Sequence, residues 1–221
     1  RGDIWMKNLN PYDIEVWEKV LKDLPAPYKK WFNEEKKYLR KNITKDSKIL
    51  EVGCGEGRSL KDIIDITKNL TGIEHDPQAV NKTKIRFRNY PNIKIIRADA
   101  VKLPFDNKSF DFVICMTTLA NFGKNKFKVF DEMKRVLKDG GRIIISVFSE
   151  NAFNERMKLY KKLKFPIKKI IGTTVMFDDK YGEGISEQFS EKQLKEIFAK
   201  AKLKVIEIKK LNIAYICKLK K

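Results

Sequence analysis

A short apolar run, Lys48-Ile49-Leu50-Glu51-Val52, leads into Gly53-Cys54-Gly55-Glu56-Gly57 and then Arg58-Ser59. Three glycines at alternate positions, between a strand and a helix, let the backbone turn sharply and a ligand approach the main chain. The carboxyl edge of a strand is also where open α/β sheets bind ligands. Two cofactor classes use such a loop. Dinucleotide loops read G-x-G-x-x-G and set a pyrophosphate on the helix N-terminus. Here the third glycine follows after one residue instead of two, and Arg58 crowds the approach that a glycine would leave open. Glu51 adds a carboxylate that repels a pyrophosphate and suits a cation. The expected ligand has an adenosine half and a positively charged half.

The flanking pattern supplies the scaffold. Ser59 to Lys68 has Leu60, Ile63, Ile64 and Thr67 at helical spacing, and Leu70-Thr71-Gly72-Ile73-Glu74 is the next strand. Pro77 to Phe87 reads as a helix with proline in its first turn. Ile93 to Asp99, Phe110 to Met116 and Arg142 to Phe148 are further strands. Lys126 to Lys138 is an amphipathic helix, with Phe127, Phe130, Met133 and Leu137 on one face, and Asp139-Gly140-Gly141 ends it. Strands alternating with helices, each strand a nearly continuous apolar run, predict a doubly wound, mostly parallel sheet buried on both faces. Residues 151–186 read as an irregular basic insertion. Glu191 to Lys202 is a helix capped by Ser190. Leu203 to Ile208 and Asn212 to Leu219 are joined by few residues and predict an antiparallel hairpin at the sheet edge. The expectation is an α/β fold with a seven-stranded sheet and an added N-terminal helical segment.

That segment, residues 10–45, reads as two helices. Ile14, Trp17, Leu21 and Leu24 form one stripe. Pro25-Ala26-Pro27 breaks the pattern, and Tyr28, Trp31, Phe32, Glu35, Tyr38 and Leu39 continue it. The predicted organisation is a helical lid over residues 1–47 on a domain at 48–221. Tyr28 and Trp31 are then candidates for contact with a bound substrate.

Composition narrows the class. In 221 residues, 48 Lys and Arg stand against 29 Asp and Glu, for a net charge of +19, and 42% of residues are hydrophobic. Collagen, low-complexity disorder and a coiled coil are excluded. No run approaches the ~18 apolar residues of a membrane-spanning helix, and no apolar leader opens the sequence. Cys54, Cys115 and Cys217 are odd in number and form no C-x-x-C pair, and His75 is the one histidine. No metal site and no disulfide framework is expected, and the expected compartment is a reducing cytoplasm. Residues 151–221 carry 18 basic and 8 acidic groups, +10 of the +19. Such a balance suits an anionic partner such as RNA or acidic lipid. Equally, 39 of the 48 basic residues are lysine, whereas specific phosphate recognition favours arginine. Lys158, Lys161, Lys162, Lys164, Lys168 and Lys169 fall in one acid-free stretch.

Four segments in order resemble one family, the class I (Rossmann-like) S-adenosylmethionine-dependent methyltransferases. Within it the sequence is most similar to the ubiquinone/menaquinone-biosynthesis, type 11 branch. They are Leu50 to Gly57, Gly72-Ile73-Glu74, Ala98-Asp99-Ala100 with Leu103-Pro104-Phe105 and Ser109-Phe110-Asp111, and Arg135 to Gly141. The resemblance implies S-adenosyl-L-methionine as cofactor. It implies that Gly53, Cys54, Gly55 and Gly57 pass under the methionine and ribose, with Glu51 facing the amino-acid end. Glu74 would accept from the ribose hydroxyls, since a two-oxygen carboxylate matches a vicinal diol. Asp99 would accept from the adenine amine, with the Ala100 amide near it. His75 would cover adenine, and Cys115 and Met116 would line the methionine side. Asn121 follows the fourth strand, where related enzymes contact the acceptor. No catalytic base is identified, and the motifs used by base-methylating enzymes are absent. The expected acceptor is a small or lipid-like molecule, with RNA as the alternative. A non-catalytic cofactor binder and an NAD-dependent oxidoreductase are weaker readings.

Overall fold

The structure is a computed structural model that describes residue 20 and residues 22–178 and 184–221. Ile14, Trp17 and Leu21, three of the four residues of the first N-terminal stripe, lie outside the described residues. The first described helix is α1, Ala26–Asn42, with Pro25 at its N-cap and Pro27 in its first turn. The strands and helices that follow are β1 (Lys48–Val52), α2 (Arg58–Ile63), β2 (Asn69–Glu74), α3 (Pro77–Arg86), β3 (Ile93–Arg97), β4 (Phe110–Met116), α4 (Lys126–Val136) and β5 (Leu137–Phe148). Then come α5 (Phe153–Lys162), β6 (Ile167–Ile171), β7 (Thr174–Phe177), β8 (Ile185–Ser186), α6 (Glu191–Lys200), β9 (Lys204–Lys210) and β10 (Ala214–Lys220).

The main sheet has seven strands in the order β3-β2-β1-β4-β5-β10-β9. The first five are mutually parallel, and β10 runs antiparallel to both β5 and β9. The closing hairpin is therefore as predicted, with its second strand inside and its first at the edge. Chain order reverses at β1, where the crossover to β4 leaves a crevice at the carboxyl ends of both strands. β1 and β4 are almost wholly buried, which fits a sheet covered on both faces. One core contains Leu50, Val113, Phe130 and Phe198, and the other contains Ile49, Leu60, Ile63 and Ile114.

Several boundaries differ from the sequence reading, each for a local reason. α2 stops at Ile63 because Thr67 turns its hydroxyl to the Ser47 carbonyl (2.7 Å), ending the helical course. β3 stops at Arg97, two residues early, and Asp99 lies in the following turn. α4 ends at Val136 because Leu137 already pairs with Phe110. Residues 138–141 then bulge out, and pairing resumes at Phe112 with Arg142. The larger difference is at 151–186, whose described residues include α5 and a three-stranded sheet, β6-β7-β8. Its helical stripe includes a buried arginine, Arg156, a residue type that an apolar-periodicity reading discounts.

Candidate active site

The glycine loop is built by its neighbours. Gly53 has φ +72, and a Cβ there would meet Thr118 Cγ2 at 2.4 Å. The Thr118 hydroxyl donates to the Gly53 carbonyl (2.9 Å), tying the loop to the chain leaving β4. The amides of Gly53 and Cys54 both donate to the Ile73 carbonyl. From α3, Thr83 donates to the Gly55 carbonyl (2.8 Å) and Arg86 to the Glu56 carbonyl (2.8 Å). The loop is thus a fixed shelf, not a mobile flap. Gly57 is a packing residue: φ is +77 at the N-cap of α2, and a Cβ would lie 2.3 Å from the Phe87 ring.

Above this shelf lies a cavity of about 560 Å³, within the roughly 300–1,000 Å³ that houses small-molecule ligands. It brings together Glu51, Gly53, Cys54, Gly55, Glu74, His75, Asp99, Ala100, Met116, Asn121, Trp31 and Tyr28. Gly57 and Cys115 are not in its wall. Cys115 belongs to the core behind β4, and burial pushes its thiol up to about 12. The reason is strand alternation: Met116 faces the cavity, so its neighbour faces away. Cys54 lines the cavity, but its sulfur packs on Gly72, where a Cβ would sit 2.7 Å from it.

One end of the cavity is acidic. Glu51 is 2% exposed, and its Oε2 has no hydrogen-bond partner. Burial pushes its carboxyl up to about 8, against the opposing pull of Arg58. Glu74 ends β2. Its Oε2 accepts from the Gly55 amide (3.0 Å), and its Oε1 accepts from the His75 and Asp76 amides (2.8 and 3.2 Å). Burial alone would raise Glu74, but bonds from the His75 ring and these amides hold it below the usual carboxylate range. The His75 ring sits 2.8 Å from Oε1, and that bond raises the imidazole. His75 is thus a partner of Glu74. Asp99 accepts from the Val101 amide (3.0 Å) at the exposed rim. Asp76 caps α3 by accepting from Ala79 (2.7 Å) while also lining the cavity.

α1 closes the site through a buried polar contact that the sequence reading did not identify. Glu35 is fully buried and 2.6 Å from Arg58 Nη2. Burial raises its carboxyl, and Arg58 opposes the rise. The Arg58 guanidinium also lies 3.8 Å from the centre of the Phe32 ring. Trp31 Nε1 donates to Ser146 Oγ of β5 (2.7 Å). Helical spacing marked these as one face of α1, but nothing local in the sequence marks the arginine they meet. Thr117 is a further residue of the site. It lines the cavity just after β4 with φ +69, a region that a β-branched residue enters at a cost.

The other end is aromatic. Tyr28, Trp31, Phe32, Phe148, Tyr160, Phe165 and Phe177 line it. The last three come from α5, β7 and the chain between them, so the stretch read as irregular builds this wall. Tyr28 is 2% exposed with its hydroxyl unpartnered, and burial raises that hydroxyl far above its ordinary value.

These residues fit a cationic adenosine ligand. Glu51, Glu56, Glu74, Asp76 and Asp99 line the cavity, against Arg58, which Glu35 already pairs, and His75. The unpartnered buried oxygen of Glu51 lacks a donor that an ammonium group can supply. Among the described residues no cluster could hold a metal ion.

Residues 50–145 match a family described as a methyltransferase domain. The protein MJ1123 of Methanocaldococcus jannaschii, described as uncharacterized, is 34% identical over 149 residues, which is 62% of this chain and 65% of that protein. The match thus spans just under two thirds of that relative's length. A demethylmenaquinone methyltransferase of Staphylococcus aureus is 29% identical over 174 residues, 72% of each chain. In three dimensions the fold matches a protein described as a SAM-dependent methyltransferase from Methanosarcina mazei. Its TM-score is 0.64 and its identity 22%, over 83% of this chain and 96% of that one. The acidic cavity thus lies at the switch point of a 3-2-1-4-5-10-9 sheet, and the residues around it, 50–145, are similar to a methyltransferase domain.

Proposed function

We propose that the protein methylates a small, largely apolar acceptor held in the aromatic end of the cavity, with residues 1–47 capping a catalytic domain at 48–221. The carrying observation is the wall of aromatic side chains that continues the acidic pocket. Such rings exclude water and bind flat or aliphatic surfaces.

In this reading Glu51, Gly53, Cys54, Gly55, Glu74, His75, Asp99, Ala100 and Met116 hold the cofactor. Its sulfonium supplies a methyl group that is already strongly electrophilic. The chain contributes position and a dry environment. The glycine shelf and Glu74 fix the donor's place, and Tyr28, Trp31 and Asn121 fix the acceptor's, so that the encounter is in effect unimolecular. The aromatic wall keeps water from competing, and a water-poor site favours a reaction in which opposite or transient charges are lost. No side chain is needed as a base unless the acceptor must shed a proton. The Tyr28 hydroxyl, buried without a partner, is the polar group available to an acceptor's oxygen or nitrogen. The demethylmenaquinone methyltransferase relative supports an apolar acceptor class.

The test is transfer of labelled methyl from S-adenosylmethionine into separated pools of lipid, RNA and small molecules from a cell extract. Label should enter an organic-extractable pool, and Tyr28→Phe should lower that transfer at least tenfold while donor binding stays within twofold. Label confined to RNA would move the assignment to the second reading, which the net charge of +19 favours.

A further inference from the structure

The unit formed by α5 and the β6-β7-β8 sheet has two sides. Through Tyr160, Phe165, Phe177 and Ser186 it walls the cavity. Its other side meets solvent with an unusual composition. Residues 156–177 hold six lysines, one arginine and no acid. The arginine, Arg156, is fully buried and turned inward: it donates to Gln188 Oε1 (2.9 Å) and the Ser186 carbonyl (2.7 Å) and lies over the Phe148 ring. The outward positive charge of residues 156–177 is therefore all lysine. Lys158 pairs with Glu155 on its own helix, and Lys162 lies 3.7 Å from Asp23, both pairs at the surface. Lys161, Lys164 and Lys169 are exposed. The β6–β7 hairpin turns tightly at Gly172, φ +58, and just before it Ile170 and Ile171 are 41% and 56% exposed. Two exposed aliphatic side chains at a hairpin tip, with Lys168 and Lys169 just before them in β6, form an amphipathic edge, and Asp178 follows at the far end of β7.

We infer that this hairpin and the lysines of α5 dock the protein on an anionic lipid bilayer. Ile170 and Ile171 enter the boundary between headgroups and acyl chains, and the lysines meet the lipid phosphates. The same small sheet carries Phe177 into the cavity wall, three residues beyond the tip end of β7, or about 10 Å along a strand. Docking there sets the aromatic chamber close to the membrane surface, so the acceptor is a lipid-borne molecule. This step rests on the apolar-acceptor reading above and narrows its source. The residues favour a bilayer over RNA. RNA surfaces use arginine forks and exposed rings on which bases stack, and in this unit Arg156, Tyr160, Phe165 and Phe177 are all buried.

The experiment is vesicle flotation of the full chain at about 0.1 M salt. Vesicles are phosphatidylcholine alone or phosphatidylcholine mixed with phosphatidylglycerol, and tRNA binding is measured in parallel. The protein should float with the anionic vesicles and not with the neutral ones. Ile170→Ser with Ile171→Ser should weaken partition about tenfold. Lys161→Gln with Lys164→Gln and Lys169→Gln should weaken it about a hundredfold. No flotation with anionic vesicles, equal flotation with neutral ones, or undiminished partition of either variant overturns the inference. So does tRNA binding in the absence of vesicle binding. Calorimetry of the same proteins with S-adenosylmethionine separates the two claims. Normal donor binding without flotation defeats docking alone, and flotation without donor binding defeats the methyl-transfer reading alone.

Discussion

Glu51 is the residue on which the site's electrostatics turn. It sits under the cavity, almost wholly excluded from water, with one oxygen unpartnered and its carboxyl pushed up to about 8. The sign of its effect on stability follows from linkage. A carboxyl raised on folding binds its proton more tightly in the native state than in the unfolded chain. Its stabilising contribution is complete below about pH 4.5 and is lost as pH rises toward 8. The ligand-free protein should thus melt progressively lower between pH 5 and pH 8. Glu51→Gln should flatten that slope and raise the melting temperature at pH 8, while weakening S-adenosylmethionine binding about tenfold or more. Thermal melts of both proteins across that range, with and without donor, decide the matter. A wild-type slope retained in the Gln variant would assign it to another group. Glu51, Glu74, Gly53 and Gly55 line the cavity and were legible in sequence because the strand-to-helix turn concentrates acids and glycines at one sheet edge. Cys115 was not placed correctly, because a motif read as a string ignores that neighbouring strand residues face opposite sides.

At the scale of elements, α1 and α6 make different contributions. α6 opens with a complete capping box: Ser190 Oγ accepts from the Gln193 amide, and the Gln193 side chain accepts from the Ser190 amide. Ser190→Ala should cost about 1 kcal/mol of stability and leave donor affinity unchanged, since the cap is outside the cavity. Chemical denaturation and calorimetry on one preparation check both halves. α1 is held to α2 and β5 by Glu35 on Arg58 and Trp31 on Ser146. Glu35→Ala leaves the Arg58 guanidinium without its partner carboxylate in a mostly buried site, so it should cost about 3 kcal/mol. It should also free α1, read as faster amide exchange in residues 26–42 than elsewhere; uniform exchange across the fold would argue against α1 as a separate cap. The helices and parallel strands were visible from periodicity. The α5 and β6-β7-β8 unit was not. Arg156 interrupts its apolar stripe, and the pairing of Ile167 with Phe177 spans a lysine-rich segment that alternation alone reads as loop.

The whole molecule joins an acidic pocket over a glycine loop to an aromatic wall assembled from distant pieces. The acidic part comes from β1, β2, β3 and β4 and the turns after them, within residues 50–118, where three of the four short segments that carry the resemblance also lie. The aromatic wall takes rings from α1, β5, α5 and β7, spread from residue 28 to residue 177, and appears only when the chain is folded. No helix among the described residues is long and apolar enough to cross a membrane. The central claim is that the acidic pocket over the glycine shelf binds an adenosyl cation. Its most direct test is titration of the purified chain with S-adenosylmethionine by calorimetry near pH 7, in two buffers of different ionisation enthalpy. The account predicts one site per chain and release of up to one proton, as the bound cation draws Glu51 into its charged form. Absence of binding heat in both buffers, from protein that still melts cooperatively, would contradict it.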